Sequence, residues 1–162
     1  MKLGFASDHR GYKLKNELMK FFEKEYEIVD VGTYSEESCD YPDYAKALCK
    51  KVLDKEVDFG VAICGSGIGI SIACNKVKGI RCAKVNSVDE AEWTRLDNNS
   101  QIVALGAKTI SKKEAIKIID KFIQTDFSNE ERHQKRIDKI TGYEDIIEKL
   151  TNIGAKISIY EE

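Results

Sequence analysis

Short apolar runs alternate with amphipathic stretches about five times along this chain, and that alternation constrains the fold more than any other feature. The runs are Leu3-Gly4-Phe5-Ala6, Glu27 to Gly32, Phe59 to Ile63, Ile80 to Ala83 and Ile102 to Leu105. Each is short and is followed by polar residues or a glycine, as buried strands are. Phe59-Gly60-Val61-Ala62-Ile63 is apolar throughout, the pattern of a strand covered on both faces. Between the runs, apolar residues recur at helical spacing. Leu14, Leu18, Phe21 and Phe22 follow Tyr12; Ala45, Leu48, Cys49, Val52 and Leu53 follow Pro42, which suits a first helical position. Ile70 to Lys76 reads as a short buried helix. Ser87-Val88-Asp89-Glu90 and Ser111-Lys112-Lys113-Glu114 have the form of capping boxes, and Ile118, Ile119 and Phe122 form the stripe behind the second. Strands joined through helices predict a parallel sheet with helices on both faces. A last helix is predicted from about Glu130 towards Leu150, with Gly142 as a point of interruption.

A chain of 162 residues suits one domain with a real core. Its 26 basic and 28 acidic residues leave a net charge of -2, so bulk electrostatics gives it no reason to coat nucleic acid or an anionic membrane. No apolar run approaches the roughly 20 residues of a membrane span. Met1 to Asp8 turns polar too soon for a signal peptide. The five cysteines are odd in number and none form a C-x-x-C pair, which predicts a reduced, cytoplasmic protein. The two histidines, His9 and His133, lie far apart, so neither a zinc site nor any other metal is expected. The expected division is one domain over 1–150 and a tail over 151–162. Edge strand, packing arm and disordered extension are equal readings of that tail.

In an open parallel sheet, ligands bind at the carboxyl ends of the strands. Ser7-Asp8-His9-Arg10-Gly11 and Cys64-Gly65-Ser66-Gly67-Ile68-Gly69 fall there. Asp97-Asn98-Asn99-Ser100 precedes a strand, belongs to the opposite end, and can help only by reaching a neighbouring subunit's site. The glycine cluster lets backbone N–H groups approach an oxygen anion. It is no Walker loop, because no lysine follows, and its G-x-G-x-G spacing is not the dinucleotide fingerprint. Cys64 directly precedes it. A thiol there faces the positive end of the following helix, which favours thiolate; the alternative is a small buried apolar residue. Cys49, Cys74 and Cys82 read as structural. Ser66 either bonds substrate oxygens or bonds its own turn. Asp8 and His9 read as ligands, with Asp8 as a cap of the helix near Tyr12 the alternative. Arg132 and Arg136 are one helical turn apart and can grip one phosphate, or be solvated. Trp93 reads as core or interface.

Ala6 to Tyr12, Asp30 to Tyr34, Cys39 to Ala45, Ile63 to Gly69, Asn75 to Arg81, Ala104 to Lys108 and Arg132 to Arg136 together resemble the type B ribose-5-phosphate isomerase family, which includes the galactose-6-phosphate isomerase subunits. The similarity covers about the first 140 residues in order. It implies an α/β fold: a single Rossmann-like three-layer domain with a five-stranded parallel sheet and a C-terminal helix. It implies interconversion of aldose and ketose phosphates through an enediolate, without metal or cofactor. Cys64 then matches the base, Gly65, Gly67, Ile68 and Gly69 the anion hole, and Ser66 a proton shuttle. Asp8, His9 and Asn98 match substrate contacts, and Arg132 and Arg136 the phosphate clamp. A homodimer or tetramer with shared active sites is implied. Two departures stand out. Asp97 replaces the family's ring-opening histidine, and an aspartate accepts a proton where a histidine can also donate one. Lys108 replaces an arginine, keeping the charge and losing the bidentate fork. Ribose 5-phosphate is the expected substrate; a six-carbon sugar phosphate (allose or galactose 6-phosphate) and a non-catalytic sugar-phosphate-binding module are the alternatives.

Overall fold

The computed structural model describes residues 1–144. The chain forms two compact units, Met1–Ser128 and a second beginning at Asn129. The first unit runs β1 (Lys2–Ser7), α1 (Tyr12–Phe22), β2 (Glu27–Asp30), α2 (Tyr41–Leu53), β3 (Phe59–Cys64), α3 (Ile68–Cys74), β4 (Cys82–Lys84), α4 (Val88–Asn98), β5 (Ile102–Gly106) and α5 (Lys112–Gln124). Its five strands are all parallel, in the order β2-β1-β3-β5-β4. The expected parallel α/β sheet is therefore present, and β1, β3 and β5 are its centre.

The two faces of the sheet follow from the strand period of two. Leu3, Phe5, Val61, Ile63, Val103 and Leu105 face α1, α4 and α5, and pack against Leu14, Leu18, Phe22, Ala91, Ile118 and Phe122. The opposite face is built of small residues: Ala6, Ala62 and Ala104 sit side by side in register. They receive Ala45, Leu48 and Cys49 of α2 and Ile70 and Cys74 of α3. The approach is close; a Cβ on Gly4 would lie 2.8 Å from Leu48 Cδ1. Each buried Leu, Ile or Phe contributes about 1.5–3 kcal/mol to this packing. Cys64 ends β3 on the small-residue face, which aims it towards the start of α3.

Several boundaries differ from the sequence reading. β2 stops at Asp30 rather than Gly32, because Gly32 and Thr33 leave the ladder to bond the Ser7 backbone at 2.7 and 2.8 Å. α3 begins at Ile68 rather than Ile70, since Gly67 at φ 77° supplies the left-handed N-cap. β4 begins at Cys82, because the Arg81 N–H is taken by Gln101 Oε1 at 2.8 Å. The Ser111 box is complete, whereas at Ser87 only half of it forms: Glu90 reaches the Asn86 N–H instead. Trp93 is 57% exposed and is not core. In the second unit α6 (Glu131–Glu144) passes through Gly142 without a break. Its predicted continuation to Leu150 and the 151–162 tail lie outside the described residues. Among the described residues no helix is long and apolar enough to cross a membrane.

Candidate active site

The carboxyl ends of β1, β3 and β5 lie flush, because Ser7 pairs with Ile63 and Cys64 with Gly106. A cavity of about 380 Å³ opens there. Asp8, His9, Cys64, Gly65, Ser66, Gly69 and Lys108 line it, seven of the residues singled out from the sequence.

Cys64 is 4% exposed, and its Sγ accepts the Gly67 N–H at 3.2 Å. An N–H aimed at sulfur is a stronger interaction for a thiolate than for a thiol. The backbone around it is clamped: Ala107 N–H bonds the Cys64 carbonyl at 2.9 Å, and Lys108 N–H bonds the Gly65 carbonyl at 3.0 Å. Gly67 is required by its positive φ and by space, since a Cβ would lie 2.8 Å from the Leu105 carbonyl carbon. Ser66 is exposed, and its Oγ accepts the Ile68 N–H at 3.3 Å. The amides of Gly67 and Ile68 are thus turned to the site's own side chains, and neither residue lines the cavity. Cys49 and Cys74 behave differently. The Cys49 thiol donates to the Cys74 carbonyl, and the neighbouring Cys74 thiol together with burial pushes its pKa far up. It is locked as a thiol in the core, as the sequence reading expects of a structural cysteine.

Asp8 is 5% exposed and its Oδ1 accepts the N–H groups of Arg10 (2.9 Å) and Gly11 (3.0 Å). It shapes the turn ahead of α1, whose N-cap is Gly11 without a side-chain cap, so it is not the cap itself. His9 is held by its Nδ1, which lies 3.2 Å from both the N and the O of Cys39. That bond joins the β1 loop to the stretch before α2, and Ser38, Cys39, Asp40 and Tyr41 form a wall of the cavity. Tyr41 lies on Gly69, where a Cβ would stand 2.6 Å from its Cζ. The sequence alone assigns no role to Arg10 or to Ser38 and Tyr41; the Cys39-to-Ala45 motif is the available signal for the wall.

Asp97 and Asn98 do not reach this cavity. They end α4, ahead of β5 and at the other end of the sheet. Their turn is nevertheless firmly held. Arg81 bonds the carbonyls of Asn98 (2.8 Å) and Asn99 (3.0 Å), and Arg95 bonds Asn99 Oδ1 (2.9 Å) and the Ser100 carbonyl (2.6 Å). Arg132 and Arg136 lie exposed on α6 in the second unit, at the spacing of one turn. Arg132 Nε donates to Glu130 Oε2 at 2.6 Å and holds that carboxyl below its usual range. Among the described residues no group of three or more His, Cys, Asp or Glu is placed to hold a metal ion. A thiol beside backbone donors, hydroxyls and cations can bind an anionic polyol and move a proton on it.

The sequence model of the ribose/galactose isomerase family matches residues 3–140. Ribose-5-phosphate isomerase B of Escherichia coli is 38% identical over 144 residues, 88% of this chain and 96% of that protein. The structure of Clostridium thermocellum ribose-5-phosphate isomerase B superposes with a TM-score of 0.87 at 42% identity, covering 90% of this chain and 98% of that one. The Mycoplasma genitalium enzyme with bound ribulose-5-phosphate superposes with a TM-score of 0.83 at 38% identity, covering 90% and 97%.

Proposed function

The chain belongs to the ribose/galactose isomerase family, and from that premise we propose that it interconverts ribose 5-phosphate and ribulose 5-phosphate with Cys64 as the base. It is a sugar-phosphate isomerase, an enzyme that moves a proton between adjacent carbons and consumes nothing. In the open-chain aldose the Cys64 thiolate takes the proton from C2. The electron pair moves into the C1–C2 bond, and the carbonyl oxygen on C1 becomes the enediolate oxyanion. Backbone donors of Gly65 and Gly69 and the Ser66 hydroxyl stabilise that charge. Ser66 passes the O2 proton to O1, and the Cys64 thiol returns its proton to C1, giving the ketose. Asp8 and His9 hold sugar oxygens.

The observation that carries this reading is the pairing of Cys64 Sγ with the Gly67 N–H inside a polar cavity. A small buried apolar cysteine needs no such donor, and no lining of Asp8, His9 and Ser66. The substrate's phosphate falls to Lys108 and, by resemblance, to Arg132 and Arg136. Asp97 and Asn98 serve the site of a second copy in a homodimer or tetramer, a role that suits a tightly held turn at the end of the sheet opposite this cavity. There Asp97 accepts the anomeric hydroxyl proton during ring opening, while another group protonates the ring oxygen.

The test is turnover of ribose 5-phosphate by the parent and by Cys64→Ala. Loss of the base should lower kcat by about 10²–10⁴-fold or more with ribose 5-phosphate binding retained. Activity within about threefold of the parent removes Cys64 from this role. A parallel series with allose and galactose 6-phosphates ranks the sugars by kcat/KM. A higher value for a six-carbon substrate reassigns the physiological sugar, and binding without turnover of any makes the chain a binding module.

A further inference from the structure

The loop after β1 carries a cation that neither the fold nor the proton transfer described above requires. Arg10 is exposed at the carboxyl end of the sheet, and its backbone is fixed because Asp8 Oδ1 takes its N–H. Its side chain crosses to the glycine loop of the neighbouring strand. A Cβ on Gly65 would stand 3.1 Å from Arg10 Cδ, 3.7 Å from its Nη1 and 3.7 Å from Lys108 Cε. A guanidinium from the end of β1 and an ammonium from the end of β5 therefore converge over the bare backbone of Gly65. All three residues line the cavity.

Two like charges directed over one glycine repel, and an anion between them relieves that repulsion. Among the described residues neither side chain makes an ion pair. The cavity also holds the carboxylates of Asp8 and Asp40, but Asp8 Oδ1 is occupied by the Arg10 and Gly11 amides. We propose that Arg10 is a substrate-binding residue whose guanidinium, with Lys108, grips the phosphate ester of the sugar phosphate over Gly65. The phosphate is the one permanently charged group on such a substrate. A guanidinium presents a planar fork that meets two of its oxygens at once, while an ammonium acts as a point charge on a third. The lysine at 108 stands where the resembling family has an arginine. Arg10 supplies the missing fork from a different strand, into the same cavity.

This inference rests on the isomerase reading, and the experiment separates the two. Inorganic phosphate and ribose 5-phosphate are titrated calorimetrically into the full chain and into Arg10→Ala, Arg10→Lys and the double variant Arg10→Ala/Lys108→Arg, with kcat and KM measured in parallel. Arg10→Ala should weaken both ligands about tenfold, with the kinetic loss falling on KM rather than kcat. Arg10→Lys should recover only part of that affinity, and the double variant should recover most of it by restoring a fork at 108. Undiminished phosphate affinity in Arg10→Ala overturns the proposal. So does a fall in kcat with phosphate affinity kept, which would aim the guanidinium at the reacting carbons. A parent that turns over no aldose phosphate overturns the isomerase reading instead, and the inorganic phosphate titration still decides on Arg10.

Discussion

At the scale of single residues, the cavity depends on what is missing as much as on what is present. Gly69 sits in the first turn of α3 with the Tyr41 ring where its Cβ would be. Alanine in a helix is ordinarily favoured over glycine by about 1 kcal/mol. Tyr41 is 37% exposed and can swing outwards, so Gly69→Ala should cost little stability. It should instead push the tyrosine from the cavity wall and lower kcat/KM at least about tenfold, since misplacement by an ångström near a reacting centre can cost 10²-fold. Thermal melting and steady-state kinetics on Gly69→Ala, Tyr41→Ala and the double variant check this; a further loss in the double variant beyond the worse single one would refute it. Cys64 was legible from sequence because its cue is local, a thiol abutting three glycines in a row of six residues. Arg10 was not. Its environment is made by residues 10, 65 and 108 on three strand ends, and only the sheet register brings them together.

At the scale of elements, a loop and a helix face illustrate how charge is handled away from the cavity. Lys15 of α1 is wholly buried; its Nζ pairs with Asp30, donates to the Thr33 carbonyl at 2.8 Å, and lies beneath the Tyr12 and Tyr34 rings. Asp30 Oδ1 also accepts the Gly32 N–H at 3.0 Å. The start of the β2–α2 connection is thereby tied to α1, and the same connection carries the Cys39 backbone that holds His9. Lys15→Met leaves Asp30 and the Thr33 carbonyl without their partner and should cost about 3 kcal/mol in chemical denaturation, the lower end of the range for a broken buried pair because Asp30 is a third exposed. A loss under about 0.5 kcal/mol would mean that water replaces the ammonium. On α5, Asp120 has its pKa raised by partial burial and by Glu25. The folded state then holds that proton more tightly than the unfolded chain, so stability falls as pH rises through its titration and the whole penalty is present at neutrality. Asp120→Asn should raise the melting temperature at pH 7 and lose that advantage in acid below the carboxyl's titration; an equal shift at both pH values would point to another cause. Helix existence was readable from apolar spacing. The burial of Lys15 was not, because its Asp30 and Thr33 partners come from another part of the chain.

At the scale of the whole molecule, the cavity and the Asp97-Asn98 turn stand at opposite ends of one sheet, which makes complementation the decisive test of shared sites. Cys64→Ala and Asn98→Ala chains should each be nearly inactive alone. Mixed, dissociated and reassociated, random pairing makes half the dimers hybrids with one intact site in two, so about a quarter of parental activity should return. No recovery would return Asn98 to a purely structural role. Chelation with EDTA should leave turnover unchanged, and activity restored by zinc or manganese would replace the thiol mechanism with a metal one. The alternation of runs announced a parallel sheet, but not the order of its strands, which is set by which face each crossover takes. That order has a consequence for solubility. The outer strands, β2 with four residues and β4 with three, are the shortest, and the six-residue β1 and β3 are enclosed. A neighbouring chain trying to extend the sheet finds too few open N–H and C=O groups along either rim to template another strand, so growth into fibrils is disfavoured by geometry before any surface charge is counted.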